Sequence, residues 1–181
     1  MTHRWIVTAL GKDRPGIVAG VSNVLFQLNC NLEDSTMTRL EGEFAIMLIF
    51  SSPRSLSAER LQRAFQPLQR RLALVVHVKP LSRQETRTPR TQGRRHLISV
   101  YGADRTGIVS RVSEFLARSH INITDLHTHR STGGGPSLYL MLLEVEVPVR
   151  LSLAAFEGRL RRFAKPLGVE LTVRPAETNV L

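Results

Sequence analysis

Three features of this 181-residue sequence predict an α+β protein built from two small repeated units. The stretch Gly11-Lys12-Asp13-Arg14-Pro15-Gly16-Ile17-Val18 returns later as Gly102-Ala103-Asp104-Arg105-Thr106-Gly107-Ile108-Val109. Each copy lies between a short apolar run of strand type and a longer run of helical period. The same succession of signals then follows both copies, which is the mark of a tandem repeat. Each unit reads β-α-β-β-α-β, a ferredoxin-like order in which an antiparallel sheet carries both helices on one face.

Residues Trp5 to Leu10 form the first strand and Gly11 to Gly16 a turn. A helix follows, with Ile17, Val18, Val21, Val24, Leu25 and Leu28 on one face, and Ile108, Val109, Val112, Phe115 and Leu116 repeat that stripe. Asp13 is placed as the N-cap and Pro15 in the first turn. Asn31 and Asn122 correspond at the openings of the second strands. Turns at Leu40 to Glu43 and Ser131 to Pro136 lead into third strands at Phe44 to Phe50 and Leu138 to Val147. Second helices start at Ser55 or Ser57 and at Ser152, and end near Pro67 and Pro166. Last strands run from Leu74 to Val78 and from Val169 to Val173, ending in Lys79-Pro80 and Arg174-Pro175. The domains are therefore 1–80 and 96–181, joined by a basic linker at 81–95.

Both third strands are apolar at both parities, through Phe44-Ala45-Ile46-Met47-Leu48-Ile49-Phe50 and Leu138-Tyr139-Leu140-Met141-Leu142-Leu143. A half-solvated antiparallel sheet alternates instead. The face away from the helices is thus expected to pack on another sheet, from the sister repeat or a second chain, and the protein to be a homo-oligomer.

No apolar stretch reaches the roughly 18 residues of a membrane span, and the start enters a strand pattern directly. One cysteine, Cys30, forms no internal disulfide and fits a reducing compartment, so a cytoplasmic protein is expected. The net charge of +10 raises a nucleic-acid reading, but the arginines are scattered over helices and strand ends. Their densest group, Arg83, Arg87, Arg90, Arg94 and Arg95, reads as a solvated linker, with a docking surface as the alternative.

A glycine-bearing turn that opens a helix presents free backbone N–H groups at the positive end of the helix dipole, so each repeated turn is a candidate cradle for a carboxylate. Against this stands the reading that the glycines serve tight turns alone.

At these residues the sequence resembles the ACT domain, a small regulatory ligand-binding module, and within it the tandem-ACT family of the glycine cleavage system transcriptional repressor. The stretches that carry this are Ile6 to Val18, Cys30 to Ser35 and Leu40 to Phe44, then, in general pattern only, Asp104 to Val109 and Asn122-Ile123, with Thr106 replacing the usual proline. The resemblance implies a non-enzymatic amino-acid sensor without cofactors that binds a transcriptional activator and releases it when glycine is present. It also implies ligand contacts from Gly11, Asp13, Arg14, Pro15, Gly16, Ile17, Asn31 and Leu32, and from Gly102, Asp104, Arg105, Gly107, Ile108, Asn122 and Ile123. Backbone N–H groups near Gly16 or Gly107 would take the ligand carboxylate, and the Asn31 or Asn122 carbonyl its ammonium. A detached regulatory subunit of an amino-acid metabolic enzyme is the alternative.

Other chemistry finds little support. His120, His127 and His129 have no cysteine or carboxylate constellation, and the first repeat has Thr36 and Thr38 at the equivalents of His127 and His129, so no metal site is assigned. Ser22, Ser35 and Ser113 lack a nucleophile setting, and Cys30 reads as a packed thiol. An RNA-recognition module needs base-stacking aromatics on its central strands, where this chain has Glu41-Gly42-Glu43-Phe44-Ala45-Ile46 and a nearly isolated Tyr139. Direct nucleic-acid binding is therefore disfavoured.

Overall fold

The computed structural model describes residues 3–82, 93–131 and 137–176, which form two compact units. The first contains β1 (His3–Lys12), α1 (Ile17–Gln27), β2 (Asn31–Leu40), β3 (Glu43–Ser52), α2 (Ala58–Leu72) and β4 (Val75–Leu81). The second contains β5 (Gly93–Ala103), α3 (Ile108–Arg118), β6 (Asn122–Ser131), β7 (Leu138–Pro148), α4 (Leu153–Leu167) and β8 (Val169–Pro175). The sheets are ordered β2-β3-β1-β4 and β6-β7-β5-β8, with every neighbouring pair antiparallel. This is the predicted β-α-β-β-α-β architecture, twice.

Strand alternation builds each core. Trp5, Val7 and Ala9 of β1 stand opposite Phe50, Leu48 and Ile46 of β3, and all six are buried. Onto that layer α1 sets Ile17, Val21 and Leu25, and α2 sets Leu61, Phe65 and Leu68. In the second unit Ile98, Val100, Met141, Leu143 and Val145 meet Ile108, Val112 and Leu116 of α3 and Phe156 and Leu160 of α4. There Phe115 stacks on Phe163 with ring centroids 4.6 Å apart.

Helix ends follow local chemistry. The Ser57 and Ser152 hydroxyls accept from the N–H groups of Arg60 and Ala155, capping α2 and α4 as anticipated. After α1, the N–H of Asn29 donates to Phe26 and that of Cys30 to Leu25, a Schellman closure with Asn29 left-handed at φ 55°. After α3, His120 and Ile121 repeat it, with His120 at φ 53°. The residues that turn the chain are therefore Asn29 and His120, and Asn31 and Asn122 already belong to strands.

Several boundaries differ from expectation. Pro67 does not end α2, which continues to Leu72 because Leu68 is buried against α1 beyond the missing N–H. Pro166, by contrast, is the last residue but one of α4, which ends at Leu167 as expected. Leu81 belongs to β4 and residues Gly93 to Arg95 to β5, which shortens the linker; Arg83, Arg87 and Arg90 lie outside the described residues, as does most of the Ser131 to Pro136 turn. Among the described residues both helices of a unit occupy one face of its sheet, and the outward parity of β3 and β7 is left partly exposed: Met47 is 47% and Leu140 37% exposed. No helix among the described residues is long and apolar enough to cross a membrane.

Candidate functional site

Each repeated turn brings its strand into its helix through one left-handed residue. Gly16 and Gly107 are the N-caps of α1 and α3, at φ 93° and 92°, with no side-chain cap. A Cβ added at either would meet nothing within 4 Å, so the glycines are required by backbone conformation and not by crowding. Neither Asp13 nor Asp104 is the cap, because the helix begins only after the glycine, and Pro15 precedes the first turn. The first intrahelical bond runs from the Gly20 N–H to the Gly16 carbonyl at 2.8 Å. The earlier N–H groups, of Ile17, Val18 and Ala19, have no intrahelical acceptor.

Those donors open onto a concavity of about 480 Å³ walled by Asp13, Arg14, Pro15, Gly16, Met37, Arg39 and Phe44 among others. It continues along Met37 to Gly42 past the end of β2. The Asp13 N–H is tied to the Gly42 carbonyl at 2.9 Å, and its carboxylate receives the Arg39 guanidinium at 3.2 Å. The second unit repeats both features: the Asp104 N–H donates to Ser137 at 2.9 Å, and Arg130 lies 3.8 Å from the Asp104 carboxylate. Arg39 and Arg130 escaped the sequence reading, although Asp13 to Arg39 and Asp104 to Arg130 have the same spacing. A turn with free N–H donors, two arginines and one carboxylate offers partners to both ends of a zwitterion.

Gly11 and Gly102 stand apart from that concavity. A Cβ at Gly11 would lie 2.8 Å from Leu74 Cδ2 and 3.1 Å from the Ala73 carbonyl, and one at Gly102 would lie 2.9 Å from the Gly168 carbonyl. Both glycines admit the chain at the start of the last strand. Ile17 and Ile108 fill the core with their side chains, so only their backbones face the turn. Arg105 lies over Gly168, its Nη1 3.1 Å from where a Cβ there would sit.

Asn31 and Leu32 lie elsewhere. Asn31 pairs with Ser51 and Arg39 with Phe44, so they mark opposite ends of β2, about 26 Å apart at roughly 3.3 Å per residue. Asn122, paired with Glu146, is likewise remote from Arg130, paired with Tyr139. Within one unit the asparagine does not reach the turn.

Edge strand β2 is exposed along its whole length and carries no proline, and β6 is nearly as open. Beside β2, Phe26 is 78% exposed, and Leu32, Met37 and Leu40 add further exposed apolar side chains. Cys30 is half-buried behind this edge; desolvation pushes its thiol pKa up, and a hydrogen bond with Ser52 pulls it back in part. His127 is engaged with Asp125 at 2.9 Å, and His120 serves the α3 terminus.

Family models of the ACT domain match residues 3–79 and 96–154. A UPF0237 protein of Streptococcus mutans is 37% identical over 73 residues, covering 40% of this chain and 83% of that protein. The glycine cleavage system transcriptional repressor of Escherichia coli is 31% identical over 126 residues, 68% of this chain; the alignment spans 63% of the repressor's length. Among solved structures, a protein of unknown function from Galdieria sulphuraria matches at TM-score 0.79 and 27% identity, covering 98% of this chain and 100% of that one. A structure provisionally assigned to a glycine cleavage system transcriptional repressor matches at TM-score 0.76 over 98% of this chain and 99% of that one; at 20% identity the likeness is one of fold.

Proposed function

Since this chain belongs to the ACT-domain family, with two such domains in tandem, we propose that it is a non-catalytic sensor of a small amino acid that regulates transcription from the cytoplasm. The observation that carries this is the uncapped start of α1, opening beside Asp13 and Arg39 at the end of an unprotected edge strand. The ligand carboxylate takes the N–H groups after Gly16 with help from Arg14, and its ammonium takes Asp13 in exchange for Arg39. Glycine is the favoured ligand through the resemblance to the Escherichia coli repressor, and a transcriptional activator is the favoured partner on the same ground.

The distant asparagine gains a role when two copies meet. Pairing two β2 edges antiparallel about a twofold axis at Ser35 and Thr36 sets Asn31 of the partner subunit beside Leu40, at the mouth of the concavity. Each site then draws its turn from one copy and its asparagine carbonyl from the other. Ligand occupancy shifts how tightly the pair closes, and thereby the grip on the activator.

Calorimetric titration with glycine, serine and alanine tests the first part, and silence across that panel would sink the sensor reading. For the second part, Asp13→Asn and Asn31→Ala should each weaken binding about tenfold or more, in line with a lost charge-assisted hydrogen bond. Mixing the two variants should restore up to a quarter of the full-affinity sites, because one mixed-dimer site inherits both native residues. No recovery would mean that the site is not shared between copies. Pull-down from native lysate separates a transcription factor from a metabolic enzyme as the main partner.

A further inference from the structure

The arginines that look scattered along the sequence are sorted by the fold. On the helices the only carboxylates are Glu59, Glu114 and Glu157, and the last two are tied within their own helices to Arg118 at 2.6 Å and Arg161 at 3.6 Å. Glu59 is engaged by its own backbone N–H and by Ser57, and then by the charge of Arg63, which together hold its pKa below the usual value. On α2, Arg60, Arg63, Arg70 and Arg71 are all exposed, Arg63 and Arg70 opposite Leu61, Phe65 and Leu68, and Arg60 and Arg71 on the flank, where Arg71 Nη2 lies beside Gly20 of α1; apart from the charge of Arg63 acting on Glu59, no ion pair among the described residues involves them. On α4 Arg159, Arg162 and Lys165 are likewise exposed and take part in no ion pair among the described residues; counted from the caps Ser57 and Ser152, Lys165 stands where α2 has Arg70, and Arg159 and Arg162 stand where it has Ala64 and Pro67. The two helices share the charge of the face but, apart from Arg70 and Lys165, not its positions.

We infer that the outer face of α2, and that of α4 independently, is a contact surface for the phosphate backbone of duplex DNA. Charge complementarity selects a polyanion, and the rest of the face selects which one. A protein interface needs aromatic or aliphatic anchors at its centre. Neither α2 nor α4 exposes a large apolar side chain. A phosphate backbone asks only for cations, and arginine meets it bidentately. From Arg60 to Arg70 the helix rises about 15 Å, long enough to reach more than one phosphate of a strand. Such contact fixes position without reading sequence, which suits a regulator held beside duplex DNA by another protein. Neither helix face depends on the amino-acid site.

Fluorescence anisotropy of a labelled random-sequence DNA duplex with the full chain, across a potassium chloride series, tests it. Affinity should fall linearly with salt on logarithmic axes and be indifferent to sequence. The variant R60Q/R63Q/R70Q/R71Q should lower the slope by about 0.9 for each phosphate it no longer neutralises. The corresponding arginine-to-lysine variant should keep most of the slope, with circular dichroism verifying the helices of both. An unchanged slope in the glutamine variant, or loss of binding only in R83Q/R87Q/R90Q, would overturn the assignment. So would polyglutamate binding as tightly as DNA with the same sensitivity to the α2 variants, which would point to an acidic protein.

Discussion

At the start of α1 and the start of α3 the two units agree closely: a left-handed glycine without a cap, an aspartate N–H held by the next loop, and an arginine returned from the edge strand. Ten residues past the glycine they part. Phe26 stands out from α1 where α3 has Ala117, and Met37 and Leu40 of β2 face Thr128 and Ser131 at the matching positions of β6. Asp13 also holds Arg39 more closely, at 3.2 Å, than Asp104 holds Arg130, at 3.8 Å. One turn geometry therefore stands beside two different edges: that of the first unit is the more apolar, and that of the second, with Leu126 exposed, the more polar. The repeated turn thus fixes the same backbone donors and the same Asp–Arg contact in both units, whereas the neighbouring edges differ in how much apolar surface they leave exposed.

Core truncation is the strongest way to break this comparison. Phe65→Ala and Phe156→Ala, each deleting a fully buried ring, should cost about 3–5 kcal/mol. Scanning calorimetry should show each lowering the transition of its own unit; if both transitions move together, the units do not fold separately. Next come Gly102→Ala and Gly11→Ala. The former drives a methyl into the backbone at Gly168 and Val169, the latter first into the end of the Leu74 side chain and only then against the Ala73 carbonyl, so Gly102→Ala should cost about 1–3 kcal/mol and Gly11→Ala less, read from denaturant midpoints.

Smaller still, Gly16→Ala and Gly107→Ala should each cost about 1–2 kcal/mol for the left-handed backbone, and nearly equally, since both have open space. Unequal loss of glycine binding between these two variants would identify the unit that holds the ligand. The smallest effect concerns Cys30. Burial raises its thiol pKa, so the folded state keeps a proton that the unfolded chain gives up first. Stability should therefore decline as pH rises from the ordinary thiol pKa through the raised one, and urea midpoints of Cys30→Ser should lack that component.

Much of this architecture is legible in the sequence because the strands alternate and the helices keep their period: Trp5, Val7 and Ala9, or Leu61, Phe65 and Leu68, declare a buried face by spacing alone. Ser57 and Ser152 announce helix starts because a serine hydroxyl matches an orphan donor. Asp13 carries the same signal falsely, since its carboxylate is claimed by Arg39, a residue that becomes a neighbour only after β2 returns. Asn31 shows the other limit. Its place in the second strand was readable, but not that strand direction carries it to the far end of the sheet from the turn. Pairings made through the sheet have no local signature.

The two edges of each sheet have different chemical valence. Pro80 on β4 and Pro175 on β8 remove a donor from one edge of each sheet, while β2 and β6 keep theirs. The β2 and β6 edges are therefore better suited to take an added strand than the β4 and β8 edges. A polypeptide with two such edges is bivalent. Were one edge engaged by a second copy, as proposed, the other would meet its counterpart at an effective concentration set by the tether and no longer by the solution. In that proposed pair, weak pairing at each edge would sum to a firm but reversible clasp, which a modest ligand could tip.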